Sequence, residues 1–309
     1  MRSFLTWIRV KTGAFFRNHK FFYFLNGLII GVLFYFYSED FYEQQIFGAI
    51  ASNIREGLPA KQDLLIDTVI VRSLRITHNM EQNRQNIFGD AELRGFKAQL
   101  VQPVTYDLMT GRGACGSNAY VLARLLQEFK IPVRIGQMSV NGMYGGHIIV
   151  EAKVKNEWRV LDPLYELKFL RSDGQLAGFN EVKQQWDFYK KQLPANYNTA
   201  YKYEAIRYTN WNKIPVVMPA LRSVIKFFSS ESYVSSLSLR VWILRKFSVL
   251  YFISLISYIL LLSIRYYIFR HKLGKNTRTL LKPVNQKIKE IFKKLPSDSE
   301  ITIFPGKEK

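Results

Sequence analysis

The chain holds a single cysteine, Cys115, in the run Thr110-Gly-Arg-Gly-Ala-Cys-Gly-Ser-Asn-Ala-Tyr120. A lone thiol forms no intramolecular disulfide and anchors no cysteine zinc cluster. Its surroundings bear on its reactivity. Ala119, Leu122, Ala123, Leu126 and Phe129 recur at helical spacing, which predicts a helix over Ser117–Lys130, stopped by Ile131-Pro132. Cys115 sits where a glycine-rich loop turns into that helix. A helix start carries unpaired N–H groups and partial positive charge, which favour a thiolate. The Cys115 and Gly116 N–H groups are then candidates to receive the oxyanion of an acyl intermediate. Taken alone, the residue reads equally well as a buried structural cysteine.

Two further side chains complete a nucleophilic set. His147 opens a strand after Gly145-Gly146, and Asp162 ends the next strand before Pro163. Singly, a solvated histidine and a turn aspartate explain them. Together they make a prediction about register. If Lys155-Asn156 is a two-residue turn, Val154 pairs with Glu157 and Ile149 faces Asp162. His147 is then the diagonal neighbour of Asp162 on the same face, at a Cα separation of about 7–8 Å. A one-residue slip would send Asp162 to the opposite face. In the intended register the thiolate attacks an acyl carbon, the imidazole moves the proton, and the carboxylate fixes its tautomer. His19, His78 and His271 are weaker candidates.

The segments GACGSNAYVLARLLQEFKIPVRIG and GGHIIVEAKVKNEWRVLDPLY resemble the core of the transglutaminase-like superfamily, papain-like cysteine enzymes. The pattern is met at Cys115, Ile131-Pro132-Val133-Arg134, His147, Glu151, Trp158 and Asp162-Pro163. It spans about residues 60–165, roughly a third of the chain. The resemblance implies an α+β fold in which a helix bearing Cys115 packs on an antiparallel sheet bearing His147 and Asp162. It also implies a thiol enzyme that cleaves or transfers an amide or acyl group of a protein or peptide-like substrate through a thioester. The chain departs from the pattern at Gly116, Ile148 and Ile149, where many members carry aromatics. Gln99, Gln102 and Tyr106 are weak candidates for the second oxyanion donor. The reading calls for no cofactor and no metal.

Charge and hydropathy place this core at a membrane. The formal charge is +20, yet residues 1–37 carry five Lys or Arg with no acid, and residues 265–309 carry twelve against four acids. No aromatic-interleaved basic motif or zinc-finger spacing supports nucleic-acid binding. The uncharged runs Phe21–Ser38 and Phe247–Ile264 are each near the minimum needed to span a bilayer. No small-residue cleavage site follows the first, so an uncleaved anchor is expected. The positive-inside rule then puts both termini in the cytoplasm and the segment between the spans outside, in an integral inner-membrane topology.

The expected order is a basic N-terminus (1–20), a span (21–38), an extracytoplasmic domain (39–219), an amphipathic linker (220–246), a second span (247–264) and a basic tail (265–309). Glu39–Glu56 and Lys61–Thr77 read as helices, Asn79–Gly95 as a loop, and Asn180–Gln192 as a helix. The competing functional class is a non-catalytic binding or assembly subunit with partners in a membrane complex.

Overall fold

A computed structural model describes residues 19–56, 65–88, 95, 101–242, 246–272, 286–290 and 293. The expected basic N-terminus up to residue 18, Gln99 and most of the basic tail lie outside them. The chain divides into two compact units. Phe34–Tyr251 contains everything the site uses; the other holds the outer parts of the two long apolar helices.

The fold is mixed α+β. A long helix α1 (His19–Glu56) is followed by α2 (Leu65–Phe88), α3 (Val104–Thr110) and α4 (Cys115–Glu128). Strands β1 (Val133–Val140), β2 (Met143–Val154), β3 (Glu157–Asp162) and β4 (Leu167–Lys168) come next. Short helices α5 (Phe179–Gln184) and α6 (Trp186–Tyr189) precede β5 (Ile206–Arg207). Then follow α7 (Val217–Phe228), α8 (Glu231–Ser236), α9 (Leu239–Trp242) and α10 (Phe247–Lys272). The five strands form one antiparallel sheet in the order β4-β3-β2-β1-β5.

The α4 helix begins at Cys115 itself, two residues before the periodicity predicts. Its apolar face, with Leu122, Leu125 and Leu126, packs on Ile135, Val150 and Ala152 of the sheet and on α2. Each fully buried leucine there contributes about 1.5–3 kcal/mol. The opposite face of the sheet is also covered. Met138, Ile149 and Val160 bury against Phe169, Phe179, Tyr189 and Tyr203. Thus both alternating faces of β2 are core, which is why His147, Ile149 and Glu151 are as buried as Val150 and Ala152.

The β2–β3 ladder runs from Val154↔Glu157 to Val150↔Leu161, the register expected from the turn. Lys155 and Asn156 adopt φ of +47° and +71°, the positive values of a type I′ hairpin turn. On β1 the pairing shifts between Met138↔His147 and Ser139↔Tyr144. This bulge absorbs Gly145-Gly146, where Gly145 has φ +103° and a Cβ on Gly146 would stand 2.6 Å from that of Val140. One cross-strand pair ties the sheet beneath. Arg134 lies opposite Glu151, bonds it at 2.8 Å, and is sandwiched between Trp158 and Tyr208.

Three expectations are corrected. The helix of α2 continues to Phe88 instead of yielding to a loop at Asn79. Its polar residues Asn79, Gln82 and Asn83 line the exposed side, while Glu81 faces inward. The first span and the helix after it are one uninterrupted element. The helix expected over Asn180–Gln192 is broken at Gln185 into α5, α6 and a 3-10 turn.

α1 and α10 are long and apolar enough to cross a membrane, over Lys20–Glu56 and Phe247–Tyr267. Their apolar side chains are largely exposed, among them Phe24, Phe34, Phe252 and Ile256. Two helices inside a soluble core would hide such residues. Asp40 of α1 accepts the Ser248 N–H in the first turn of α10 at 3.1 Å, so one helix caps the other.

The turn dictates a stability prediction. Asn156→Val forces a β-branched side chain into positive φ and should cost about 1–3 kcal/mol. Asn156→Gly should be tolerated. Urea unfolding of the detergent-solubilised protein checks both.

Candidate active site

Cys115 is held at the end of a tight loop. Gly111 turns the chain with φ +61° and packs so closely on α2 that a Cβ would stand 2.6 Å from the Glu81 carbonyl oxygen. Ser117 Oγ accepts the Gly113 N–H at 2.7 Å and donates to Asp107 Oδ1 at 2.8 Å. Asn118 clasps the Ala114 carbonyl from both its side chain and its backbone N–H. These bonds hold Ala114 at φ +43° and ψ −120°, a conformation a residue with a Cβ rarely adopts. Strain of this kind costs about 1–3 kcal/mol and persists only where the surroundings over-determine it. Here it stands immediately before the thiol.

His147 and Asp162 meet as the register requires. His147 Nε2 and Asp162 Oδ2 are 2.6 Å apart, and both side chains are fully buried. Asp162 serves two ends at once, because its Oδ1 also accepts the Leu164 N–H at 3.2 Å. The turn aspartate and the histidine partner are therefore the same residue in two roles. His78 on α2 reaches the Pro163 carbonyl oxygen at 3.2 Å, and Arg75 bonds Glu166 at 3.0 Å. His78 thus clamps the turn behind Asp162 and does not stand beside the thiol.

Nε2 is taken by Asp162, which leaves Nδ1 for the thiol. Among the described residues no hydrogen bond reaches the buried Nδ1. The Cys115 side chain still acts on the ring electrostatically, alongside Asp162. Burial pulls the imidazolium pKa down, while Asp162 and then Cys115 pull it up and prevail, to about 9. At neutral pH the ring is therefore an imidazolium between a carboxylate and a thiol. Such a neighbour favours the thiolate.

The oxyanion candidates divide. The Gly116 N–H already donates to the Gly113 carbonyl at 2.8 Å. The Cys115 N–H, at the first position of α4, makes no backbone hydrogen bond among the described residues. Gln102 is exposed at φ +43° and Tyr106 is half-buried on α3.

Sequence reasoning missed an aromatic cover. Tyr201 stacks on the His147 ring with centroids 4.1 Å apart and planes 9° from parallel. Tyr165 lies 6.1 Å from the same ring and 4.6 Å from Tyr197. These side chains wall the imidazole from water, which strengthens its pairing with Asp162. The tyrosine-rich run after Trp186 was the available signal, but nothing local shows which tyrosine meets the histidine.

Among the described residues no group of three or more His, Cys, Asp or Glu is arranged to hold a metal ion. The arrangement suits proton transfer and nucleophilic attack at Cys115.

The raised pKa of His147 links folding to pH. The stabilisation is complete below the ordinary histidine value of 6.5 and is lost as the pH rises through about 9. The melting temperature should therefore fall between those values, and Asp162→Asn should flatten that slope, in thermal unfolding followed across pH. No family model, curated protein or solved structure matches the chain.

Proposed function

We propose that the protein is a membrane-anchored thiol enzyme of transglutaminase-like type that cleaves or transfers an amide or acyl group. The observation that carries this reading is the buried His147–Asp162 pair beside the one cysteine, which opens a helix behind a strained loop. The pattern residues Arg134, Glu151 and Trp158 also gather in one cluster. That is what a shared core would require of residues scattered along the sequence.

In this reading the Cys115 thiolate attacks the acyl carbon of a protein or peptide-like substrate. The oxyanion that forms accepts the Cys115 N–H at the start of α4. The His147 imidazolium gives its Nδ1 proton to the leaving amine, and a thioester remains on Sγ. Neutral Nδ1 then takes a proton from water, or from an acceptor amine, as it attacks the thioester; the C–S bond breaks, the acyl product leaves, and the Cys115 thiolate and the imidazolium are restored. Asp162 keeps the ring oriented and balances its charge throughout. Hydrolysis is the simpler outcome, since it needs no amine pocket.

The same proposal sets the domain outside the cytoplasmic membrane with both termini inside, because basic residues flank the outer ends of both apolar runs. α7 supports a surface position. It buries no residue and exposes Val217, Val224, Phe227 and Phe228, while Arg222 and Lys226 carry its charge. Helices of this composition lie in the interface of a bilayer.

Two measurements test the reading. His147→Ala should slow alkylation of Cys115 by iodoacetamide at pH 7 by about tenfold or more, since the thiolate loses its cationic neighbour. Equal rates in the two proteins would move the molecule to the non-catalytic assembly class. For topology, Ser172→Cys in a Cys115→Ala background places a thiol on an exposed loop. A membrane-impermeant maleimide should label it in cells with a permeabilised outer layer. Labelling only after rupture of the inner membrane would reverse the orientation.

A further inference from the structure

A polar cavity of about 250 Å³ lies away from Cys115, between the C-terminal half of α4 and the ends of the two apolar runs. Asp40, Glu43, Arg124, Gln127, Glu128 and Lys246 line it. Asp40 follows the uncharged run Phe21–Ser38 by two residues, and Lys246 immediately precedes Phe247–Ile264. On the membrane-spanning reading, on which this inference rests, both residues stand at headgroup depth.

Its charges are unevenly matched. Arg124 bonds Glu43 Oε1 at 3.1 Å and also pairs with Glu128. Asp40 spends its oxygens on Gln44 and on the cap of α10. Among the described residues Glu43 Oε2 is buried without a hydrogen-bond partner, on a side chain only 4% exposed. A buried carboxylate oxygen left in that state costs free energy that a donor would recover. Lys246 is a second incomplete group, because among the described residues its ammonium hydrogen-bonds a neutral partner, Gln127 Oε1, at 3.3 Å. With all groups ionised the lining holds three carboxylates against two cations. A purely anionic ligand meets net repulsion there. A ligand that brings its own ammonium for Glu43 and an anionic oxygen for Lys246 satisfies both.

We infer that this cavity binds the headgroup of a zwitterionic phospholipid with a primary ammonium, the amine on Glu43 Oε2 and the phosphate on Lys246. Phosphatidylcholine has the same net charge and the same phosphate, but its quaternary nitrogen carries no N–H to donate. Discrimination between the two headgroups therefore reports on Glu43, and overall retention reports on Lys246.

The test uses delipidated full-length protein in detergent micelles doped with phosphatidylethanolamine, phosphatidylcholine or phosphatidylglycerol, with bound lipid counted by native mass spectrometry. One charge-assisted hydrogen bond predicts about tenfold greater occupancy by phosphatidylethanolamine than by either other lipid. Glu43→Gln should erase the preference over phosphatidylcholine. Lys246→Met, which leaves the Glu43–Arg124 pair intact, should lower occupancy by both zwitterions. Equal occupancy by all three headgroups, or a preference that survives both substitutions, would overturn the inference. Water-soluble glycerophosphoethanolamine that binds as well as the lipid would overturn the assignment to a membrane lipid. Partition of the protein into the membrane fraction is scored separately. A protein that stays in the membrane without headgroup preference refutes the cavity alone, and one that leaves it refutes the membrane reading.

Discussion

A histidine and an aspartate with no solvent exposure, 2.6 Å apart, constrain most of the surrounding architecture. Neither could be buried alone, because an unpaired charge in an apolar interior is far costlier than a paired one. Their meeting requires one register of β2 against β3, and the type I′ turn at Lys155-Asn156 sets it. It also requires the bulge at Gly145-Gly146, which ends regular pairing right beside His147. Closure comes from two sides. α2 clamps the Asp162–Pro163 turn through His78, and Tyr201 seals the imidazole. Loss of any one of these would let water reach the pair and weaken its hydrogen bond.

The thiol obeys a different logic. Cys115 is partly exposed, and its rigidity comes from the bonds of its loop. Asp107, Ser117 and Asn118 hold Gly113 and Ala114 in place, so the strain at Ala114 is stored in the native state. Glu81 lies behind this network with its carboxyl raised to about 8, first by burial and then by Asp107. At neutral pH Glu81 is therefore mostly uncharged.

One helix joins the two polar centres. α4 starts at Cys115, and its last turns carry Arg124, Gln127 and Glu128. Its fourteen residues span about 21 Å. Its positive end serves the thiol, and its far end meets the residues where the apolar helices join the domain. The Leu122, Leu125 and Leu126 face that locks α4 to the sheet therefore also fixes the separation of these two centres.

Local pattern made several parts readable without coordinates. The 3.6-residue recurrence around Leu122, the alternation after His147, the uncharged runs and the parity linking His147 to Asp162 all depend on neighbours within a few residues or one short hairpin. The polar run after Asn79 misled because amphipathic helices also show polar residues, and only the packing of Glu81 and Gly111 reveals the buried side. Tyr201, the Asp107–Ser117 bond and the Glu43–Arg124 pair were invisible for a simpler reason. They join residues brought together by the packing of separate elements, 54, 10 and 81 positions apart. The sequence alone determined which side chains could form a triad and in which register. Tertiary packing decided how far each is shielded from water, because burial depends on elements far apart in the chain.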